Sequence, residues 1–184
     1  MKRFTLTILS AITVSLVSTT ARATLLQIDS DKSEITVAVS STINSFVARL
    51  KKFDAHIECT TNLERPDKAL VSFDFKDLKT GDDLRDKHML AWLQYTAFTN
   101  SIFQLTEWKQ NDAEILALGE LTIHGVKQAI AMPVTITRTN DQCNIDGVAV
   151  LNYRDYQLPL IRKMLFITVN PELKVTFHLT TKSP

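Results

Sequence analysis

Most of this chain alternates between apolar and polar residues. Ile35, Val37 and Val39 take every second place in "EITVAVS", as do Phe53, Ala55, Ile57 and Cys59 in "FDAHIEC". Val71, Phe73 and Phe75 do so in "VSFDF", and Phe103 and Leu105 in "IFQL". "AEILALGELTIHG", "AIAMPVTIT", "NIDGVAVLNY" and "LKVTFHL" continue the pattern. Successive side chains of an extended strand point to opposite faces, so a period of two means a strand with one face buried. About eight such runs occur, joined by short connections such as "TNLERPDK", "IHGVK" and "TRTNDQ", which carry turn residues. The pattern predicts an all-β fold, one domain, with a single helical interruption.

Two features predict that the sheet closes on itself. Phe46, Ala48 and Leu50 alternate, and then Phe53 follows after three residues instead of two. Lys51 and Lys52 therefore mark a bulge or bend in a long strand. "ILALGEL" and "VAVL" are apolar on both parities, as expected of strands covered on each side. Ala117 and Gly119 share one face, as do Gly147 and Ala149. Small residues there either leave room inside a barrel or admit a bulky neighbour.

The segment "TGDDLRDKHMLAWL" breaks the alternation. Leu84, His88, Met89, Trp92 and Leu93 fall on one helical face. Asp82 or Asp83 stands where a carboxylate caps the first backbone N–H groups. This predicts a helix over 83–95 whose apolar side covers something, with Leu84, Met89, Trp92 and Leu93 packed inward.

The chain opens with Lys2 and Arg3, continues with an apolar stretch to Val17, and reaches Ala21-Arg22-Ala23. This is the layout of a cleaved secretory signal, too short and too interrupted for a membrane span. The expected mature domain is 24–184, exported to the periplasm. Residues 1–23 hold three basic and no acidic residues, which leaves 18 basic against 20 acidic in the remainder. A mature charge of −2 argues against a nucleic-acid partner. Export favours a disulfide between the two cysteines, Cys59 and Cys143. The four histidines show no metal-ligand spacing, so no metal and no cofactor is expected.

Three stretches in order resemble one family. "LKTGDDLRDKHM" followed by a helix and "FQLTEW", then "GELTIHGVKQAIAMPV", then "LNYRDYQLPLIRKM" with "ITVNPELKVTFHL", are similar to segments of YceI-like proteins. The chain departs from that family where Gln157 replaces a glycine before Leu158, and where "NSFVARLKKF" lacks one. The resemblance implies a lipocalin-like antiparallel barrel of eight strands, capped by the helix, that holds a polyisoprenoid or other long amphiphile. The implied ligand contacts are Phe53, Phe73, Phe75, Phe103, Ala117, Gly119 and Ala149 inside, with Arg85, His88, Trp92 and Arg154 toward the rim. Asp86 is read as tying the helix to that rim alongside Arg85. Implied partners are a long apolar small molecule, a membrane touched briefly during exchange, and a second copy of the chain. The alternative is a partner-binding or stress-related module whose barrel is filled by its own side chains. An enzyme is not expected: Asp86 and His88 diverge at a two-residue spacing on a helix, and no nucleophile elbow or phosphate loop is present.

Overall fold

A computed structural model of the chain describes residues 24–59, 65–111, 114–139, 142–163 and 167–182. The leader and its cleavage motif, residues 1–23, lie outside these. The elements run β1 (Thr24–Ile28), β2 (Glu34–Ser40), β3 (Ser45–Leu50), β4 (Asp54–Cys59), β5 (Lys68–Asp74), α1 (Asp83–Trp92), β6 (Asn100–Asn111) and β7 (Glu114–Ile123). Then follow β8 (Val126–Thr139), β9 (Gln142–Asn152), β10 (Arg162–Lys163), β11 (Ile167–Thr168) and β12 (Glu172–Lys182). Short 3-10 turns occupy Phe75–Asp77 and Tyr153–Tyr156.

Strands β1, β4, β5, β6, β7, β8, β9 and β12 neighbour one another in that order, all antiparallel, and β12 returns to β1 through Gln27↔Lys182 and Ile28↔Thr181. The ring is closed. The β2–β3 hairpin joins it toward the opposite end: β2 pairs with β12 from Ala38↔Lys174 to Glu34↔His178, and β3 pairs with β2. Thus β1 and β2 are two lengths of one stave, and β3 and β4 are two lengths of the next. The break between β3 and β4 falls at residues 51–53, where the phase slip predicts a bend. Eight staves enclose a bore wide enough for side chains or one slender ligand.

Local chemistry explains the corners. β7 turns into β8 through His124 and Gly125, both left-handed at φ 51° and 72°, as a two-residue type I′ hairpin requires. His124 holds this conformation with its ring against Phe98, 4.1 Å between centres. Helix α1 starts at an Asp82 side chain that accepts the Arg85 N–H at 2.8 Å. It stops at Trp92, short of 95, because Gln94 adopts φ 51° and reverses the chain. The Tyr95 N–H then bonds the Leu90 carbonyl at 3.0 Å and the Gln94 N–H the Ala91 carbonyl at 3.1 Å, a paired C-cap that normally uses glycine. Gln157 also holds a positive φ, 59°, where the family resemblance places glycine.

Several expectations are corrected. Val150 is 67% exposed, so "VAVL" is buried on one face only, through Ala149 and Leu151. Gly119 and Gly147 leave no empty space: the Phe103 and Phe177 rings lie on them so closely that an added Cβ would overlap the ring. Cys59 and Cys143 are buried free thiols, not a disulfide. Their strands, β4 and β9, are separated by β1 and β12. Both thiols lie in one buried cluster, where burial pushes the Cys59 thiol up and Cys143 adds to that effect.

Candidate functional site

The barrel encloses a cavity of about 760 Å³. Its wall is almost wholly carbon, from Ile35 and Val37 on β2 through Val71 and Phe73 on β5 to Val175 and Phe177 on β12. Most inward positions on the staves are apolar, because the period-two pattern keeps one apolar face on each strand. Polar wall atoms gather at one end. Ser41 and Asn44 come from the β2–β3 turn, and Thr80, Asp82, Arg85 and His88 from α1 and the turn before it. This end is the mouth.

The mouth is built on the "TGDDLRD" turn. The Asp86 carboxylate accepts the Thr80 N–H at 2.9 Å and the Thr80 hydroxyl at 2.5 Å, with Lys79 Nζ 3.8 Å away. Burial opposes ionisation of Asp86, but the two Thr80 hydrogen bonds outweigh it and hold the carboxyl below its ordinary range. Arg85 Nη2 donates to the Thr80 carbonyl at 2.8 Å, and its guanidinium lies 4.1 Å from the centre of the Phe46 ring. Arg85 and Asp86 therefore clamp the helix to the turn from two sides. The Arg85 Nε–H is buried and has no acceptor among the described residues.

The rest of α1 closes over the bore. Trp92 Nε1 donates to the Pro159 carbonyl at 2.9 Å, and its ring meets Tyr153 edge-on at 5.1 Å. Met89 and Leu93 pack beneath it in a cluster with Phe75, Leu151, Tyr156 and Leu158. Tyr153 in turn receives the Ile161 N–H and donates to the Val169 carbonyl, both at 3.3 Å. Leu84 departs from expectation: it is 62% exposed at the lip, near Ile43 at 68%, instead of packed inward.

Of the residues singled out from the sequence, Phe73, Phe75, Phe103, Ala117 and Ala149 line the cavity, and Arg85, His88 and Trp92 line its mouth. Phe53 packs between the core clusters without reaching the wall, and Gly119 is covered by Phe103. Arg154 is exposed on the Tyr153–Tyr156 turn, where its backbone N–H donates to the Asn152 side chain and its carbonyl accepts the Gln157 N–H. Sequence reasoning missed Tyr153 and Trp108, both on the wall.

Residues 26–181 match the family model described as a YceI-like domain. The chain belongs to the YceI-like family. Solved structures share its fold: BcnA of Burkholderia cenocepacia has a TM-score of 0.73 at 18% identity, covering 84% of this chain and 99% of that one. A polyisoprenoid binding domain from Saccharophagus degradans, implicated in plant cell wall breakdown, follows at 0.67 and 16%, covering 86% and 98%. The YCEI protein of Campylobacter jejuni reaches 0.63 at 14% over 100% of this chain and 99% of that one. No curated protein matches the chain in sequence. Family and geometry together make this YceI-like chain a barrel suited to holding lipid.

Proposed function

We propose that this YceI-like protein is a periplasmic carrier that holds one long-chain isoprenoid, or a similar amphiphile, inside its barrel. The observation that carries the reading is the enclosed carbon wall with its polar groups confined to one end. A molecule with a long apolar tail and a small polar head matches that division. Each buried methylene contributes roughly 0.8 kcal/mol, so a tail binds tightly through burial alone. The head meets the mouth at Arg85, whose Nε–H lacks an acceptor among the described residues, with Asn44 in the same lining. The Saccharophagus domain, named for polyisoprenoid binding, supports the class of ligand. The open bore weighs against the alternative of a barrel filled by its own side chains.

Binding, not catalysis, is the role we assign. Asp86 is committed to Thr80, and His88 stands exposed at the lip. Exchange would occur at a membrane surface, where the exposed Ile43 and Leu84 flank the mouth. Native mass spectrometry of protein purified from its own cells tests the reading. A bound apolar molecule, one per chain, on a polypeptide beginning at Thr24 is the expected result. An apo mass that stays apo after incubation with a long isoprenoid alcohol would overturn it.

A further inference from the structure

We infer that the Trp108 indole is the floor of the cavity and sets the longest apolar chain the barrel accepts. This rests on the reading that the barrel holds one such chain. Ile57, Trp108, Ala117, Val134, Ile145 and Leu179 belong to the wall. One inward step further along the same strands, Cys59, Ile136, Cys143 and Thr181 do not. With Leu26 they form a packed layer below. The cavity therefore ends between these two levels.

Trp108 reaches that level because of a defect in β6. Ser101, Phe103 and Leu105 point inward in strict alternation, and the next inward place would fall to Glu107. The pairing with β7 slips between Leu105 and Glu107, so one extra residue enters the strand. The slip turns the charged Glu107 out to solvent and brings Trp108 in. The ring is then fixed. Its Nε1 donates to the Pro66 carbonyl at 2.6 Å, and its cross-strand partner on β7 is the buried Ala117, whose small side chain leaves the indole room.

The distance from mouth to floor is finite. Ser101 and Trp108 are seven residue steps apart, roughly 23 Å along the strand at about 3.3 Å per step. At the usual barrel tilt of about 35–45° this is roughly 16–19 Å along the bore. A tail that ends at the indole fills the space. One longer must buckle or push its head out of the mouth, and an unaccommodated methylene in a rigid apolar pocket lowers affinity about tenfold or more.

The test is a ladder of linear isoprenoid alcohols differing by one unit, titrated against the wild-type protein and W108A. Wild-type affinity should rise to an optimum and then fall at least tenfold, and in W108A the optimum should move longer by at least one unit. A117V, which narrows the floor from the neighbouring strand, should move it shorter, and decides the matter alone if W108A does not fold. An optimum in the same place in each folded variant, or wild-type affinity with no fall at any length, overturns the floor while leaving the carrier reading intact. Absence of binding at every length instead overturns the carrier reading itself.

Discussion

The two ends of the barrel are made differently. The closed end is made by the strands themselves: Leu26, Cys59, Ile136 and Cys143 meet in one apolar layer, each on a different stave. The mouth is made by pieces added to the barrel. Helix α1 and the 3-10 turn before it sit on an apolar cluster and are tied down by local polar contacts, among them Thr80 to Asp86, Arg85 to Thr80, and Trp92 to Pro159. Contacts of the first kind fail only when the barrel fails. Those of the second kind can open locally while the sheet stays closed, because they join segments outside the strand ladder. A carrier needs that division, with a permanent floor and a mouth that yields.

The largest effect should come from the floor. Ile57 is 1% exposed, and I57A should lower global stability by about 3–4 kcal/mol, since the strands around it cannot collapse into the gap. Denaturant titration reads this directly. A cost below about 1 kcal/mol would remove the contrast between the two ends.

At the mouth, W92A should cost about 2–3 kcal/mol, less than the ~3–5 of a fully buried aromatic. It should also shorten retention of a bound chain, because the Pro159 bond and the Tyr153 contact both go. H88Q should change neither stability nor retention beyond about 0.5 kcal/mol. Dissociation kinetics of a fluorescent isoprenoid from the two variants separate a closing role for Trp92 from general damage. Equal retention in both would break the comparison.

D86A removes two hydrogen bonds to a carboxylate and should cost about 2 kcal/mol at neutral pH. The folded protein holds Asp86 below its ordinary range, where the unfolded chain titrates. The stabilisation is therefore complete above about pH 4 and is lost as the pH falls below it. Thermal melts of wild type and D86A should converge in acid; a gap that stays constant down to pH 2 would show that Asp86 acts by packing alone.

The smallest change is Y156F. Tyr156 is 1% exposed, its hydroxyl has no partner among the described residues, and burial pushes its pKa up to about 12. Deleting an unpaired buried hydroxyl should leave stability unchanged or raise it by up to about 1 kcal/mol. A loss of more than that would mean the hydroxyl has a partner that matters.

The strands were legible because a period of two survives all around the ring, and the bend at Lys51–Lys52 because it broke that period visibly. The helix and its Asp82 cap were legible from apolar spacing and a carboxylate at the right offset. What escaped was whatever breaks a rule without a compositional mark. The β6 bulge adds one residue among ordinary strand residues, so Trp108 looked no different from its outward neighbours. Gln94 holds a left-handed turn that glycine would have announced, whereas Gln157 holds one where the family resemblance already marked a missing glycine. Leu84 satisfies the helical stripe yet sits at the lip, because that stripe faces the wall at one end of α1 and the opening at the other. Arg154 and the two cysteines were placed from residue type alone, and neither a strand's facing nor the distance between two strands can be read from type.

One measurement reaches the central claim most directly. An isoprenoid alcohol carrying a photoreactive group at the far end of its tail can be bound, irradiated and mapped by peptide mass spectrometry. Adducts at Ile57, Trp108 or Leu179 would place the tail end at the closed floor with the head at the mouth, as the account predicts. Adducts on the outer face, at Leu25 or Val150, would contradict it.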